Sequence, residues 1–454
     1  MFFYEMEQKI CFSKQMRFFK IHTIWVLLTS VIVRMAHTDH TAHTVHMDRT
    51  VHTVHMAHTA HTVHMDRMAH MVHTVHTAHT DRTDHTAHMD RMAHMAHMAH
   101  MAHMAHMDRT VHMGNGSLIL TLTRECNLRC SYCPTVKDNW PSLTIDDIDR
   151  AIQIFLDVCT ESQHPSKDVP SWSTVKIFGG EPLLRPDLVL HTLQEIEKHP
   201  SIRWVYLSTN GATLDRELLK QLQKFRKLIL TISMDGLPQH HMKMRRSVSK
   251  ELNSYENILS VLDVLLKMPR VVVTQTIPPA TAKYAFENYM HLRTLGFWRY
   301  NFLPGYYLPW KQEQLDALRE GFDGIADDII QNWKQQKPLY VRNLFTWAPT
   351  IFFNTGMIVD SDRRIHPSNI GLSGQLDHIL DQTAIGDLDC PPTIEKLEEA
   401  TRQIPHVIAK HVQDHILEST HKADQELTRF CTKLWPYYKE KKQIKQQNMV
   451  YSEG

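Results

Sequence analysis

The chain has 454 residues, 22% of them charged and 42% hydrophobic, with a formal net charge of +1. This describes a globular protein long enough for more than one domain, and nothing in it points to nucleic acid or to acidic partners. Seven cysteines, an odd number with Cys11, Cys159, Cys390 and Cys431 scattered, speak against a disulfide framework and lead us to expect a reducing, cytoplasmic setting.

Residues 1–34 contain "FFKIHTIWVLLTSVIV" (18 to 33), which follows Lys14 and Arg17 and has the form of a signal peptide's basic and apolar regions. Its uncharged part, Ile21 to Val33, is short for a membrane span, which needs about 17 to 25 residues. No small-x-small cleavage site follows it, so a signal-like or anchor-like segment is the reading, with a membrane as partner only if the segment is genuine. From Met35 to His112 one triplet repeats without a phase slip: Met or Thr, then Ala, Val or Asp, then His or Arg. On an α-helix three residues advance about 300°, so each histidine row wraps every face and leaves no apolar stripe. The alternatives within each triplet position differ by one change at the second codon position, as a drifting tandem DNA repeat does. Residues 35–112 are therefore read as low complexity translated upstream of a true start near Met113, the competing reading being a histidine-rich metal-binding arm.

After Met113 short β-rich runs alternate with helical stretches, the pattern of parallel strands joined by right-handed crossovers. Six strands are expected: 117–123, 174–180, 204–211, 227–236, 270–277 and 298–305. Thr144 to Asp147 reads as a capping box opening a helix, Pro186 suits the first turn of the next, and "RELLKQLQKF", "SYENILSVLDVLLKM" and "AFENYMHLRTLG" follow the helical period. Six βα units imply an α/β fold, a partial (β/α)6 barrel whose working face carries the C-terminal strand ends. The core is placed at 113–310. A small α+β extension at 311–454 is expected to hold a helix, a β region near 351–370 and one long charged helix from about Thr393 to Lys441.

Cys126, Cys130 and Cys133 in "TRECNLRCSYCPT" directly follow the first strand. Three thiolates can ligate three irons of a 4Fe-4S cluster and leave the fourth open to a substrate or cofactor. A zinc knot is the competing reading; it needs a fourth ligand, and no His or Cys lies nearby in sequence.

With "CNLRCSYC" and "FGGEPLL" (178 to 184) together, residues Ser117 to about Asp389 resemble the radical S-adenosylmethionine (radical SAM) superfamily, in its peptide- and protein-modifying branch with a SPASM-type extension. The resemblance implies one 4Fe-4S cluster on the three cysteines, S-adenosylmethionine (AdoMet) as cofactor and an external electron donor. It also implies that AdoMet is cleaved to a 5'-deoxyadenosyl radical that takes hydrogen from a peptide or protein, such as a small precursor peptide. The AdoMet-binding residues it implies are Tyr132, Gly179, Gly180, Glu181, Asn210, Ser233, Asp235 and Arg245, with Glu181 toward the ammonium group and Arg245 toward the carboxylate; no protein acid or base is required for the first step.

The extension departs from the family pattern. Asn354 and Ser368 stand where SPASM regions place cysteines, and Cys390 and Cys431 alone cannot ligate a second cluster. His366 and the aromatics Tyr306, Tyr307, Trp310 and Trp347 are candidates either for the substrate cavity or for ordinary packing. Two other function classes compete: a membrane-anchored, histidine-rich metal-binding protein, and a non-catalytic binding module that keeps the fold. The intact cysteines and Glu181 argue against the second.

Overall fold

The computed structural model describes residues 116–133, 141–161, 173–345, 355–369 and 376–452. The signal-like segment, the histidine repeat, Trp347 and Asn354 lie outside them. All the described residues belong to one unit, Asp108–Gly454.

In chain order the first strands are β1 (Ser117–Thr123), β2 (Leu128–Cys130), β3 (Ser173–Gly179), β4 (Ile202–Thr209), β5 (Leu228–Ser233), β6 (Arg245–Ser247), β7 (Val271–Ile277) and β8 (Arg299–Pro304). Six of them are the expected strands, and they lie side by side and parallel in the order β1-β3-β4-β5-β7-β8. Between them run α1 (Ile145–Glu161), α2 (Pro186–Glu197), α3 (Arg216–Leu222), α4 (Pro238–Met244), α5 (Ser254–Ser260), α6 (Leu262–Leu265) and α7 (Ala285–Thr294). The capping box ahead of α1 is present: Asp147 N–H donates to Thr144 Oγ1, and Thr144 N–H donates back to Asp147 Oδ2. Pro186 occupies the first turn of α2.

Alternation along each strand divides the sheet into two faces. Leu118, Leu120, Val175, Ile177, Val205, Leu207, Leu230 and Ile232 all join one buried core with the helices. The residues between them face the other, concave side, and on β3 and β4 these, Thr174, Lys176, Tyr206 and Ser208 among them, are only half-buried.

Beyond β8 the long helix α8 (Gln312–Lys334) leads to β9 (Tyr340–Val341), parallel to β8 at one end of the sheet. The expected β region is the hairpin β10 (Thr355–Val359) and β11 (Arg364–Ser368). It is not a separate sheet: β10 pairs parallel with β1, so the extension continues the barrel sheet at its other edge. After α9 (Leu380–Thr383) and β12 (Gly386–Asp387), the single long helix expected near the C-terminus is two, α10 (Ile394–His411) and α11 (Asp414–Ser452). The break falls at Val412, which turns to extended backbone and buries its side chain beside Tyr306, Tyr307, Ile404 and Ile408. That packing outweighs helix propagation through a β-branched residue.

The same region settles Tyr306, Tyr307 and Trp310. They are core: Tyr306 Oη donates to Asp424 Oδ1 at 2.8 Å, Thr420 Oγ1 accepts from Tyr307 N–H at 2.8 Å, and Trp310 Nε1 donates to the Gly305 carbonyl at 2.7 Å. Among the described residues, no helix is long and apolar enough to cross a membrane.

Candidate functional site

The loop after β1 is strapped at several points. β2 pairs antiparallel with β6, setting Cys130 opposite Arg245, and the Met244 and Asn127 carbonyls accept from Ser131 and Val248 N–H at 2.8 and 3.1 Å. Its three thiols, on Cys126, Cys130 and Cys133, form no disulfide and are half-exposed. Cys126 Sγ accepts from Leu128 N–H at 3.4 Å, and Asn210 Nδ2 lies 3.9 Å away. Among the described residues, two sets of His, Cys, Asp or Glu donor atoms gather within 4.8 Å, and neither includes these thiols. Their spacing is wider than one tetrahedral zinc ion requires.

The Gly-Gly-Glu turn after β3 presses on this loop. Gly180 N–H donates to Thr123 O at 2.9 Å and Glu181 N–H to Glu125 O at 2.8 Å. A Cβ on Gly180 would stand 2.1 Å from Glu125 O, and one on Gly179, whose φ is +143°, 2.1 Å from Thr123 O. The sequence suggests that these glycines let a ligand approach; their immediate reason in the fold is the approach of the cysteine loop's own backbone.

Glu181 is 1% exposed, and its carboxylate accepts from Leu183 N–H at 3.0 Å, Thr209 Oγ1 at 2.7 Å and Asn210 N–H at 2.7 Å. Burial pushes its pKa up, and those three donors oppose the shift. It thus latches β3 to the end of β4. Asn210 carries the latch to the loop, donating from Nδ2 to Asn127 Oδ1 at 2.8 Å. Replacing Glu181 by Gln turns an acceptor into a donor facing N–H groups, and should cost about 1–3 kcal/mol. An unchanged urea midpoint would refute the latch.

Asp235, just past β5, gathers the remaining candidates. It accepts from Tyr132 Oη at 2.8 Å, Arg245 Nη2 at 2.9 Å and Thr276 N–H at 3.3 Å, and Arg245 stacks over the Tyr132 ring at 5.3 Å. Burial chiefly, with Asp235 adding and Arg245 opposing, holds the Tyr132 phenol well above its usual range, so its hydroxyl stays a donor. Ser233 ends β5 half-buried and makes no side-chain hydrogen bond among the described residues.

Several supporting residues escaped the sequence reading. His241 lies in a stretch that reads only as basic, yet its Nδ1 accepts from Asp235 N–H at 3.3 Å and its Nε2 meets Ser254 Oγ at 2.8 Å. Burial lowers its pKa to about 4, so it is a neutral wedge behind Asp235. Arg124, fully buried one residue after β1, pairs through two nitrogens with Asp360 at the end of β10. His366, which the sequence reading did single out, is 2% exposed; its Nδ1 meets Thr383 Oγ1 at 3.1 Å and its Nε2 has no partner among the described residues.

Six parallel strands whose carboxyl ends gather a three-cysteine loop, a Gly-Gly-Glu turn and a buried arginine define a radical SAM domain. Residues 120–279 match the model of the Radical SAM superfamily. The chain is 31% identical over 157 residues to the GTP 3',8-cyclase of Aquifex aeolicus, covering 33% of this chain and 42% of that one. It is 33% identical over 127 residues to human molybdenum cofactor biosynthesis protein 1, covering 26% and 18%. The chain thus spans less than half the length of these relatives. Among solved structures, native anSMEcpe with bound AdoMet and Cp18Cys peptide superposes with a TM-score of 0.54 at 15% identity, covering 72% of this chain and 99% of that one.

The cofactors of this domain are a 4Fe-4S cluster and AdoMet, and the residues present fit them. Three soft thiol donors on one half-exposed loop suit iron, and the adjacent Arg245, 6% exposed, keeps a buried Nε that no group among the described residues satisfies. A carboxylate from a bound amino-acid moiety would satisfy it.

Proposed function

We propose that this chain is a radical SAM enzyme that cleaves AdoMet reductively and abstracts hydrogen from its substrate. The observation that carries the reading is the three-thiol loop at the carboxyl ends of the strands with the orphaned Arg245 Nε beside it. When bound, the cluster and AdoMet supply a one-electron cleavage, fed by an external donor, that yields methionine and a 5'-deoxyadenosyl radical.

The chain's own residues hold and orient. Cys126, Cys130 and Cys133 are the iron ligands. Arg245 presents its free Nε to the AdoMet carboxylate while Asp235 fixes the guanidinium and Tyr132 together. Gly179, Gly180, Ser233 and Asn210 form the wall of the AdoMet site. Glu181 acts by holding that wall to the cysteine loop, its three accepted hydrogen bonds leaving it a positioning residue.

For the substrate, a peptide or protein side chain is the reading favoured by the fold likeness to a structure holding a peptide. A phosphate-bearing small molecule is the second, favoured by the local sequence likeness to enzymes named for GTP and by the charge of the barrel floor described next. The test is anaerobic incubation of the reconstituted protein with AdoMet and a low-potential reductant. Release of 5'-deoxyadenosine is expected; its absence from protein loaded with iron and sulfide would refute the reading.

A further inference from the structure

The sheet's concave floor brings two cations to one tyrosine. Lys176 lies on β3 between Val175 and Ile177, which face the helices, so it faces the concave side, and its register partner on β4 is Tyr206. Arg342 comes from the opposite end of the sheet, one residue past β9. Asn343 anchors that turn, donating from Nδ2 to the Phe302 carbonyl at 2.8 Å and accepting from Phe302 N–H at 2.9 Å. β9 is four strand spacings from β4 in the sheet order, about 19 Å on a flat sheet. Yet the Arg342 guanidinium stacks 4.3 Å over the Tyr206 ring, and its Nη1 lies 3.4 Å from Thr231 Oγ1 on β5. The sheet therefore curls, and Arg342 reaches across the concavity.

We propose that this floor is a subsite for a phosphate group of a small-molecule substrate, held between Lys176 and Arg342. The proposal rests on the radical reading above and takes the second of its two substrate readings, for the same barrel. Tyr206 is the shared neighbour, in register with Lys176 and stacked under Arg342; burial first and the charge of Arg342 second lower the Lys176 pKa to about 8. Among the described residues Arg342 pairs with no carboxylate; its partners are a hydroxyl and a ring face. Two half-buried cations on one concave face are balanced by a dianion, and a planar guanidinium matches phosphate geometry. Lys176 precedes Gly179 by three residues, about 10 Å of strand below the cysteine loop. A substrate the length of a nucleotide spans that distance, whereas a folded protein surface does not reach beneath the rim.

The experiment titrates inorganic pyrophosphate calorimetrically into the anaerobically reconstituted full chain. Saturable binding is expected, weakened about ten- to a hundredfold in Lys176→Gln and in Arg342→Gln and largely kept in Lys176→Arg. A second measurement needs no variant: acetylation of Lys176, followed by mass spectrometry, should be suppressed by pyrophosphate. No binding, binding by both glutamine variants as tight as by the unaltered chain, or equal labelling of Lys176 with and without pyrophosphate would overturn the subsite. So would a glutamate-rich peptide that binds with this dependence on Lys176 and Arg342 while pyrophosphate does not. Cleavage of AdoMet by the unaltered chain is measured separately, so failure of the radical reading and failure of the subsite give different results.

Discussion

Alanine at any one of Cys126, Cys130 or Cys133 is expected to abolish cluster incorporation and release of 5'-deoxyadenosine together. Each thiolate would hold its own iron, and the other two free cysteines among the described residues lie on other elements: Cys390 is exposed beyond β12, and Cys431 lies within α11. Burial and the Asp424 carboxylate push the Cys431 thiol up to about 12, so it offers no thiolate near neutral pH. The same facts bear on the metal count. Without cysteines at Asn354 and Ser368 the extension lacks ligands for a second cluster, and the reconstituted chain should hold about four irons, the triple alanine variant essentially none. Twice that iron, or iron persisting in the triple variant, would mean a second cluster.

Breaking the Arg124–Asp360 pair is the largest effect expected on stability. Both partners are buried, at 0% and 2% exposure, and they tie the residue before the cysteine loop to the end of β10. Asp360→Ala leaves a guanidinium buried without its counter-charge and should cost about 3–5 kcal/mol. The double replacement Arg124→Met with Asp360→Leu removes both charges and should recover much of that loss. Urea unfolding midpoints decide it: a single variant as stable as the parent would show that the pair does not hold the extension to the loop.

The two predictions draw on parts of the sequence that differ in legibility. The cysteine loop could be read because its chemistry is local, three thiols within eight positions, and the six strands could be read because each is a short run rich in β-branched, aromatic or other apolar residues. The capping box at Thr144 and Asp147 is local in the same way. Asp360, in contrast, lies 236 residues from Arg124, and nothing in "VDSD" announces an arginine partner. The straps β2 and β6 are three residues each, too short for alternation to show. The helix expected over "SYENILSVLDVLLKM" breaks at Val261, and the C-terminal helix breaks at Val412, both β-branched residues whose burial decides the backbone. Glu181 was found, but for a contact with a ligand; its three hydrogen bonds within the fold come from Leu183 and from the end of a strand not adjacent to it in sequence. Lys176 and Arg342 meet only because the sheet curls.

The central claim is that the loop of Cys126, Cys130 and Cys133 holds a 4Fe-4S cluster with one iron open to AdoMet. Electron paramagnetic resonance of the dithionite-reduced, reconstituted full chain tests it most directly, with spectra taken before and after AdoMet is added. The account predicts a reduced 4Fe-4S signal whose g-values shift when AdoMet arrives, and which is lost in the triple alanine variant. A signal that AdoMet leaves unchanged, or one that survives without the three cysteines, would contradict it.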